Sequence, residues 1–109
     1  MILVTGGLGY LGGQICKELI NCGEEVRIAT SRANAKIPHA LSKCQIVNID
    51  LLNTDSLIAA CEGIDAIIHL SALNAHESNL DPKQALLINS FGTENILNAA
   101  IHCKVQRFL

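Results

Sequence analysis

Residues 4–13 read VTGGLGYLGG and hold five of the eight glycines in the 109-residue chain. Inside a helix or strand a glycine costs about 0.5–1 kcal/mol relative to alanine. A cluster this dense therefore marks a place where something comes close to the main chain. Ahead of it, Met1–Thr5 is short, apolar and rich in β-formers. Behind it, Gly12, Ile15, Cys16, Leu19 and Cys22 recur at helical spacing, and Gly23 closes the segment. A strand, a glycine turn and a helix make the setting in which free amides and the positive end of the helix dipole hold an anion. Two spacings coexist. Gly7, Gly9 and Gly12 fit G-x-G-x-x-G, and Gly6, Gly9 and Gly12 fit G-x-x-G-x-x-G. A P-loop is excluded, because Gly13-Gln14 follows Gly12 where a lysine and a hydroxyl residue are required. A tight turn with close helix packing is the plain alternative, and it accounts for two of the glycines rather than five.

Working outward, Glu25–Thr30 alternates like a strand, and the polar stretch 31–42 with Pro38 reads as a loop or a short distorted helix. Gln45–Asp50 is a third strand. Asn53 or Thr54 caps a helix ending at Cys61, with Gly63 beyond it. Asp65–Leu70 is a fourth strand, apolar nearly throughout, and a loop follows. Asp81-Pro82 opens a long helix running to about His102 with Gly92 inside it, and Gln106–Leu109 begins a fifth strand. Such alternation predicts an α/β fold with a parallel sheet covered on both faces. Right-handed crossovers favour a Rossmann-type doubly wound sheet of order 3-2-1-4-5, here truncated in its fifth strand. In that setting the glycine turn points to a bound dinucleotide.

Composition narrows the function classes. Half of the residues are hydrophobic and 17% are charged, which suits one buried core and a single domain over residues 1–109. A net charge of −2 gives no basic footprint for nucleic acid or an anionic membrane. The longest apolar runs are far short of a bilayer span, and MILVTGG already forms a strand and its turn rather than a secretory signal. The cytoplasm is the expected compartment. Cys16, Cys22, Cys44, Cys61 and Cys103 are odd in number and widely spaced, so they read as small buried hydrophobes. A metal site with His39, His69, His76 and His102 is the alternative, and it lacks the short ligand spacing of zinc modules.

Four segments together, TGGLGYLGG at 5–13, DLLN at 50–53, HLSA at 69–72 and NSFGTENIL at 89–97, resemble the extended short-chain dehydrogenase/reductase family. Its members include sugar-nucleotide epimerases, dehydratases and reductases. The resemblance spans the chain in order and spacing without singling out a member. It implies that Gly6, Gly9, Tyr10, Leu11 and Gly12 form the phosphate turn and that Asp50 and Leu51 sit beside the adenine. Leu70, Ser71 and Ala72 would line the riboses and the nicotinamide side, and Asn89 would support the site from a helix. Each has a plainer reading: Asp50 capping its own turn, Asn89 facing solvent, and His69 a packed strand residue rather than a base. Asn89, Gly92, Thr93 and Ile96 would share one helical face, with Gly92 allowing a close approach.

An NAD site usually carries an acid at the end of the second strand. Here Thr30 is followed by Ser31 and Arg32, and no acid lies between Val26 and Gln45. A hydroxyl and a guanidinium suit a 2′-phosphate, which favours NADP over NAD. Arg32 as an ordinary surface charge is the other reading. The family's tyrosine and lysine, four residues apart, have no counterpart: the single tyrosine is Tyr10, with Gln14 four positions on. No catalytic residue is assigned, and the chain is expected to be the N-terminal piece of a longer enzyme. That enzyme would pass hydride between the nicotinamide and an alcohol or carbonyl substrate, often a nucleotide sugar. A homodimer is one assembly the resemblance allows. A non-catalytic NAD(P)-binding sensor is the second reading of the chain, and a purely structural α/β domain is the third.

Overall fold

The computed structural model describes residues 1–73 and 75–109. Five parallel strands form one sheet: β1 (Ile2–Thr5), β2 (Val26–Thr30), β3 (Gln45–Asn48), β4 (Ala66–His69) and β5 (Arg107–Phe108). Their order is β3-β2-β1-β4-β5, the doubly wound arrangement expected of this alternation. In register, Thr5 lies level with Ala29 on one side and with His69 on the other. Leu109 continues the edge pairing beyond β5, donating its N–H to the Ile67 carbonyl at 2.9 Å and accepting from His69 at 2.8 Å.

Apolar strand residues alternate between two cores because successive side chains leave a strand on opposite faces. On one face Leu3, Ala29 and Ile67 pack under helices α2 (Thr54–Cys61) and α5 (Gly92–His102), where Leu57, Ile96 and Ala99 are fully buried. On the other, Val4, Val26 and Ile28 pack against Cys16 of α1 (Tyr10–Asn21) and Leu41 of a 3-10 turn at His39–Leu41. That turn answers the distorted helix expected within 31–42. Asn53 caps α2 by accepting the Ser56 N–H at 3.1 Å. Arg27 closes the other end of the same helix, donating through Nη1 to the Ala60 and Glu62 carbonyls at 2.8 Å each. Cys16 and Cys61 are buried, Cys44 and Cys103 are half-buried, and Cys22, expected inside, is exposed at the end of α1.

Two expectations change after β4. The stretch read as a loop contains a short helix, α3 (Ala75–Leu80); Asn74, within the same stretch, lies outside the described residues. The α3 sequence, AHESNL, is too short to show an apolar period. The single helix expected from Pro82 is two helices, α4 (Pro82–Leu86) and α5, joined by a π-helical turn at Leu87–Phe91. Asp81 caps α4 as read, accepting the Gln84 N–H at 3.0 Å. At the far end of the π turn, the Gly92 N–H reaches back five residues to the Leu87 carbonyl. Wider turns of this kind insert one residue into a helix and re-aim its face, often beside functional sites. No helix among the described residues is long and apolar enough to cross a membrane.

Candidate functional site

A cavity of about 610 Å³ opens where β1, β2, β3 and β4 end. Gly6 and Gly9 bring the glycine turn to it, Ser31 and Arg32 the exit of β2, Asp50 and Leu51 the exit of β3, and Leu70, Ser71 and Ala72 the exit of β4. This is the crevice at the carboxyl ends of the strands where open α/β sheets take ligands.

The turn itself is shaped by contacts within the chain. Gly6 has φ +68, and a Cβ there would lie 3.0 Å from the Leu70 carbonyl group and the Ser71 nitrogen. Only glycine supplies that main-chain conformation at so small a distance. A Cβ on Gly12 would sit 2.3 Å from the Gly6 oxygen, so the first turn of α1 rests directly on the end of β1. Gly7 faces Ile28 and Cys16 at similar closeness. Internal packing thus explains three of the five glycines, one more than the plain reading allowed. Gly9 differs. It is the N-cap of α1, it is exposed, and a Cβ there would meet only the Gly6 oxygen at 3.2 Å. Among the described residues α1 has no capping side chain and no acid in its first turn. Its first amides and its dipole are therefore open to an anion at the cavity edge.

Four of the candidate residues lie outside the cavity lining. Tyr10 is 91% exposed and Leu11 58% exposed, both on the outer side of α1, because the helix turns its small residues Gly12 and Cys16 inward. Gly12 is buried beneath the turn. Asn89 acts through the main chain of Leu73, which does line the cavity. Its Oδ1 accepts the Leu73 N–H at 2.8 Å, and its Nδ2 donates to the Leu73 carbonyl at 3.1 Å. Gly92 lets α5 come close to Leu51: a Cβ would lie 3.0 Å from the Leu51 Cβ. Nearby, Asn95 Nδ2 donates to the Leu51 carbonyl at 2.9 Å. The close approach expected of Gly92 is thus to the loop after β3.

Asp50 Oδ1 accepts the Leu52 N–H at 2.9 Å, so one of its oxygens holds its own turn, as the plainer reading had it, while the residue still lines the cavity. Arg32 is exposed; its N–H donates to Thr30 Oγ1 at 3.2 Å. Reading the sequence passed over Leu8, Asn48, Ile49, Leu73, Gln84 and Ile88 as lining residues. Gln84 and Ile88 arrive from α4 and the π turn, and no spacing signal could have placed them there. Asn48 had one: it is the last residue of β3, at the end of the sheet where ligands sit.

Behind the wall, Thr5 is fully buried at the end of β1, and its Oγ1 accepts the N–H groups of Leu70 and Ser71 at 3.1 and 3.2 Å. His69 bridges Thr5 and Thr93, its Nδ1 2.7 Å from Thr5 Oγ1 and its Nε2 3.0 Å from Thr93 Oγ1. Burial lowers its pKa below the ordinary 6.5. These contacts make it a packed strand residue, the plainer of its two readings. Burial also pushes the thiols of Cys16 and Cys61 up to about 11.

The geometry invites comparison with known proteins. A 3 beta-hydroxysteroid dehydrogenase/Delta 5→4-isomerase of Mycobacterium tuberculosis is 33% identical over 113 residues, spanning 99% of this chain and 30% of the relative. The UDP-glucose-4-epimerase of Stenotrophomonas maltophila, solved with NAD and formylated UDP-arabinopyranose, superposes with a TM-score of 0.86 at 30% identity, over 98% of this chain and 35% of that one. The UDP-glucose 4-epimerase of Thermus thermophilus in complex with NAD gives 0.85 at 26% identity, again over 98% and 35%. The chain thus spans about a third of the length of the proteins it matches. The model of the 3-beta hydroxysteroid dehydrogenase/isomerase family matches residues 3–109. By that match and by its motifs, the chain belongs to the 3-beta hydroxysteroid dehydrogenase/isomerase family, within the extended short-chain dehydrogenases/reductases.

Proposed function

We propose that the chain binds a nicotinamide dinucleotide and is the cofactor-holding portion of an oxidoreductase, epimerase or dehydratase. The observation that carries this is the uncapped, acid-free N-terminus of α1 at the edge of a cavity formed by four strand ends. A diphosphate suits that helix end, because its oxygens would accept from amides that lack partners and meet no side chain at Gly9. Asp50 and Leu51 would flank the adenine, and Leu70, Ser71 and Ala72 the nicotinamide half. Tyr10, Leu11 and Gly12 would contribute main-chain N–H groups rather than side chains, and Asn89 would hold the wall through Leu73. The epimerases named above carry NAD in their own structures, which supports the cofactor class. When bound, the nicotinamide supplies hydride exchange with an alcohol or carbonyl carbon.

NADP is the favoured form in this reading. Ser31 and Arg32 both line the cavity at the exit of β2, where a carboxylate would otherwise select an unphosphorylated ribose. The substrate would be a small molecule bearing an alcohol or carbonyl, either a nucleotide sugar or a steroid. A homodimer belongs to the same proposal. It is supported by the exposed apolar side chains of Leu87, Phe91, Leu97 and Ile101 along the π turn and α5.

Titration of the chain with NADP and with NAD, followed by thermal unfolding and calorimetry, tests the reading. Ligand at about 100 times its Kd adds about 2.7 kcal/mol of stability, a readily measured rise in Tm. Gly9→Val is expected to abolish that rise, since its side chain would stand over the open amides. If neither cofactor shifts the transition, or if Gly9→Val binds as well as the natural chain, the proposal fails.

A further inference from the structure

The hydrogen bonds around His69 determine where its proton sits. Thr93 Oγ1 donates to the Asn89 carbonyl at 3.1 Å, which commits its single proton. Its 3.0 Å contact with His69 Nε2 therefore requires the proton to be on Nε2. At the other end, Thr5 Oγ1 accepts two main-chain N–H groups, from Leu70 and Ser71, which fills both of its lone pairs. Toward Nδ1, 2.7 Å away, the Thr5 hydroxyl can only donate. Two independent sets of partners thus demand one state, a neutral ring with its proton on Nε2, by the logic through which such networks assign tautomers.

We propose that His69 is a positioning residue for the cavity wall at the exit of β4: its neutral Nε2–H form locks Thr5 to Thr93, and protonation releases the Ser71 amide. A proton added at Nδ1 would point at an oxygen whose lone pairs are already taken. One acceptance must be given up. The Leu70 N–H has a second acceptor, the Thr5 carbonyl at 3.2 Å. Among the described residues, the Ser71 N–H has none besides Thr5 Oγ1. Ser71 is therefore the group set free, and it lines the cavity.

The surroundings of the ring favour the neutral form. It is packed by Thr5 of β1, Thr93 of α5 and Phe108 of β5, whose ring centroid is 5.9 Å away, and none of these titrates. The charged or titratable side chains on those elements, Glu94 and His102 on α5 and Arg107 on β5, are exposed. The terminal residue Leu109 meets the main-chain N–H of His69 rather than its ring. Burial is the cause that holds the ring neutral.

The consequence for binding rests on the dinucleotide reading above, and the test separates the two. Nitrogen-15 NMR of the imidazole in the full chain, with no ligand added, is expected to show the Nε2–H tautomer at pH 7.5. On acidification the protection of the Ser71 amide, taken relative to the intrinsic exchange rate at each pH, should fall as the ring titrates. NAD, which lacks a titrating 2′-phosphate, is then titrated between pH 8 and pH 5. Affinity is expected to fall on acidification, approaching tenfold per pH unit below the point where His69 protonates, as for any single linked proton. His69→Gln can donate to Thr93 and accept from Thr5 without titrating, so it should keep the neutral-pH affinity and lose the acid slope. His69→Phe should weaken binding at every pH. An Nδ1–H tautomer, or an acid slope that survives in His69→Gln, overturns the proposal. Absence of NAD binding at pH 7.5 alongside the expected tautomer and Ser71 response would instead overturn the dinucleotide reading and leave the clamp standing.

Discussion

Arg32 and Ser71 stand at the exits of β2 and β4, the two strands that flank β1, and both line the same cavity. Their supports differ. Beyond β2, the exposed Ser31 and Arg32 are tied to the sheet by one bond, from the Arg32 N–H to Thr30 Oγ1 at 3.2 Å. Beyond β4, the main chain of Leu70, Ser71 and Leu73 is held by Thr5 from β1 and by Asn89 from the π turn, with His69 and Thr93 linking those supports. A residue held only through its own main-chain N–H can change its side chain without disturbing the fold, whereas a network of side-chain bonds cannot lose a member without leaving polar groups unpaired. On the proposed dinucleotide reading, the β2 side would set which dinucleotide is chosen, and the β4 side the shape of the cavity together with the stability of the domain.

The strongest way to break the contrast is at the turn both walls depend on. Gly12→Val places a side chain 2.3 Å from the Gly6 oxygen, a main-chain atom that cannot swing aside. It should cost about 3 kcal/mol, read from the midpoint of urea unfolding. An unchanged midpoint would show that α1 does not rest on β1 as described. Next comes Thr5→Val, which keeps the shape and removes the hydroxyl, leaving the Ser71 N–H and His69 Nδ1 without a partner. About 1–3 kcal/mol of stability should go with it, and NADP affinity should fall in parallel. Loss of one without the other would uncouple wall from fold.

On the opposite wall, Arg32→Ala should leave unfolding within about 0.5 kcal/mol of the natural chain. By calorimetry it should cost about tenfold in NADP affinity and little in NAD affinity, since a charge-assisted phosphate contact is worth about 1.5 kcal/mol or more. Equal losses for both cofactors would mean that Arg32 touches the shared part of the ligand. A separate effect, absent at neutral pH, lies in alkali. Cys16 and Cys61 have folded pKa values of about 11 against 9.0 for a free thiol. The unfolded chain therefore loses these protons first, and stability falls as pH rises from 9 through 11. Both thiols sit in the cores, one on each face of the sheet, so the difference between the walls should persist through that decline until the domain unfolds.

Much of this was legible locally. Five strands, their order, the cap at Asn53 and the Asp81-Pro82 helix start follow from short-range pattern and from the handedness of crossovers. So did nine of the residues that surround the cavity, since each follows directly on a strand or lies in the glycine turn. Elsewhere the pattern misled or was silent. Tyr10 and Leu11 belong to the motif but turn outward, because the small residues beside them take the inner side of α1. The break between α4 and α5 has no signature in LINSF, whose residues would continue an α-helix equally well.

What the chain's order of residues decided alone is where the main chain can turn and which side chains cannot stay in water: the glycine bend, the alternating strands and the apolar helix stripes. Tertiary structure decided how those pieces share hydrogen bonds. Asn89 finds Leu73, His69 bridges two threonines, and Gly92 closes on Leu51 only once α5 lies across the sheet. Hydrophobic period is a property of neighbours in sequence. A proton's position between Thr5 and Thr93 depends on residues from β1, β4 and α5, which meet only in the folded chain.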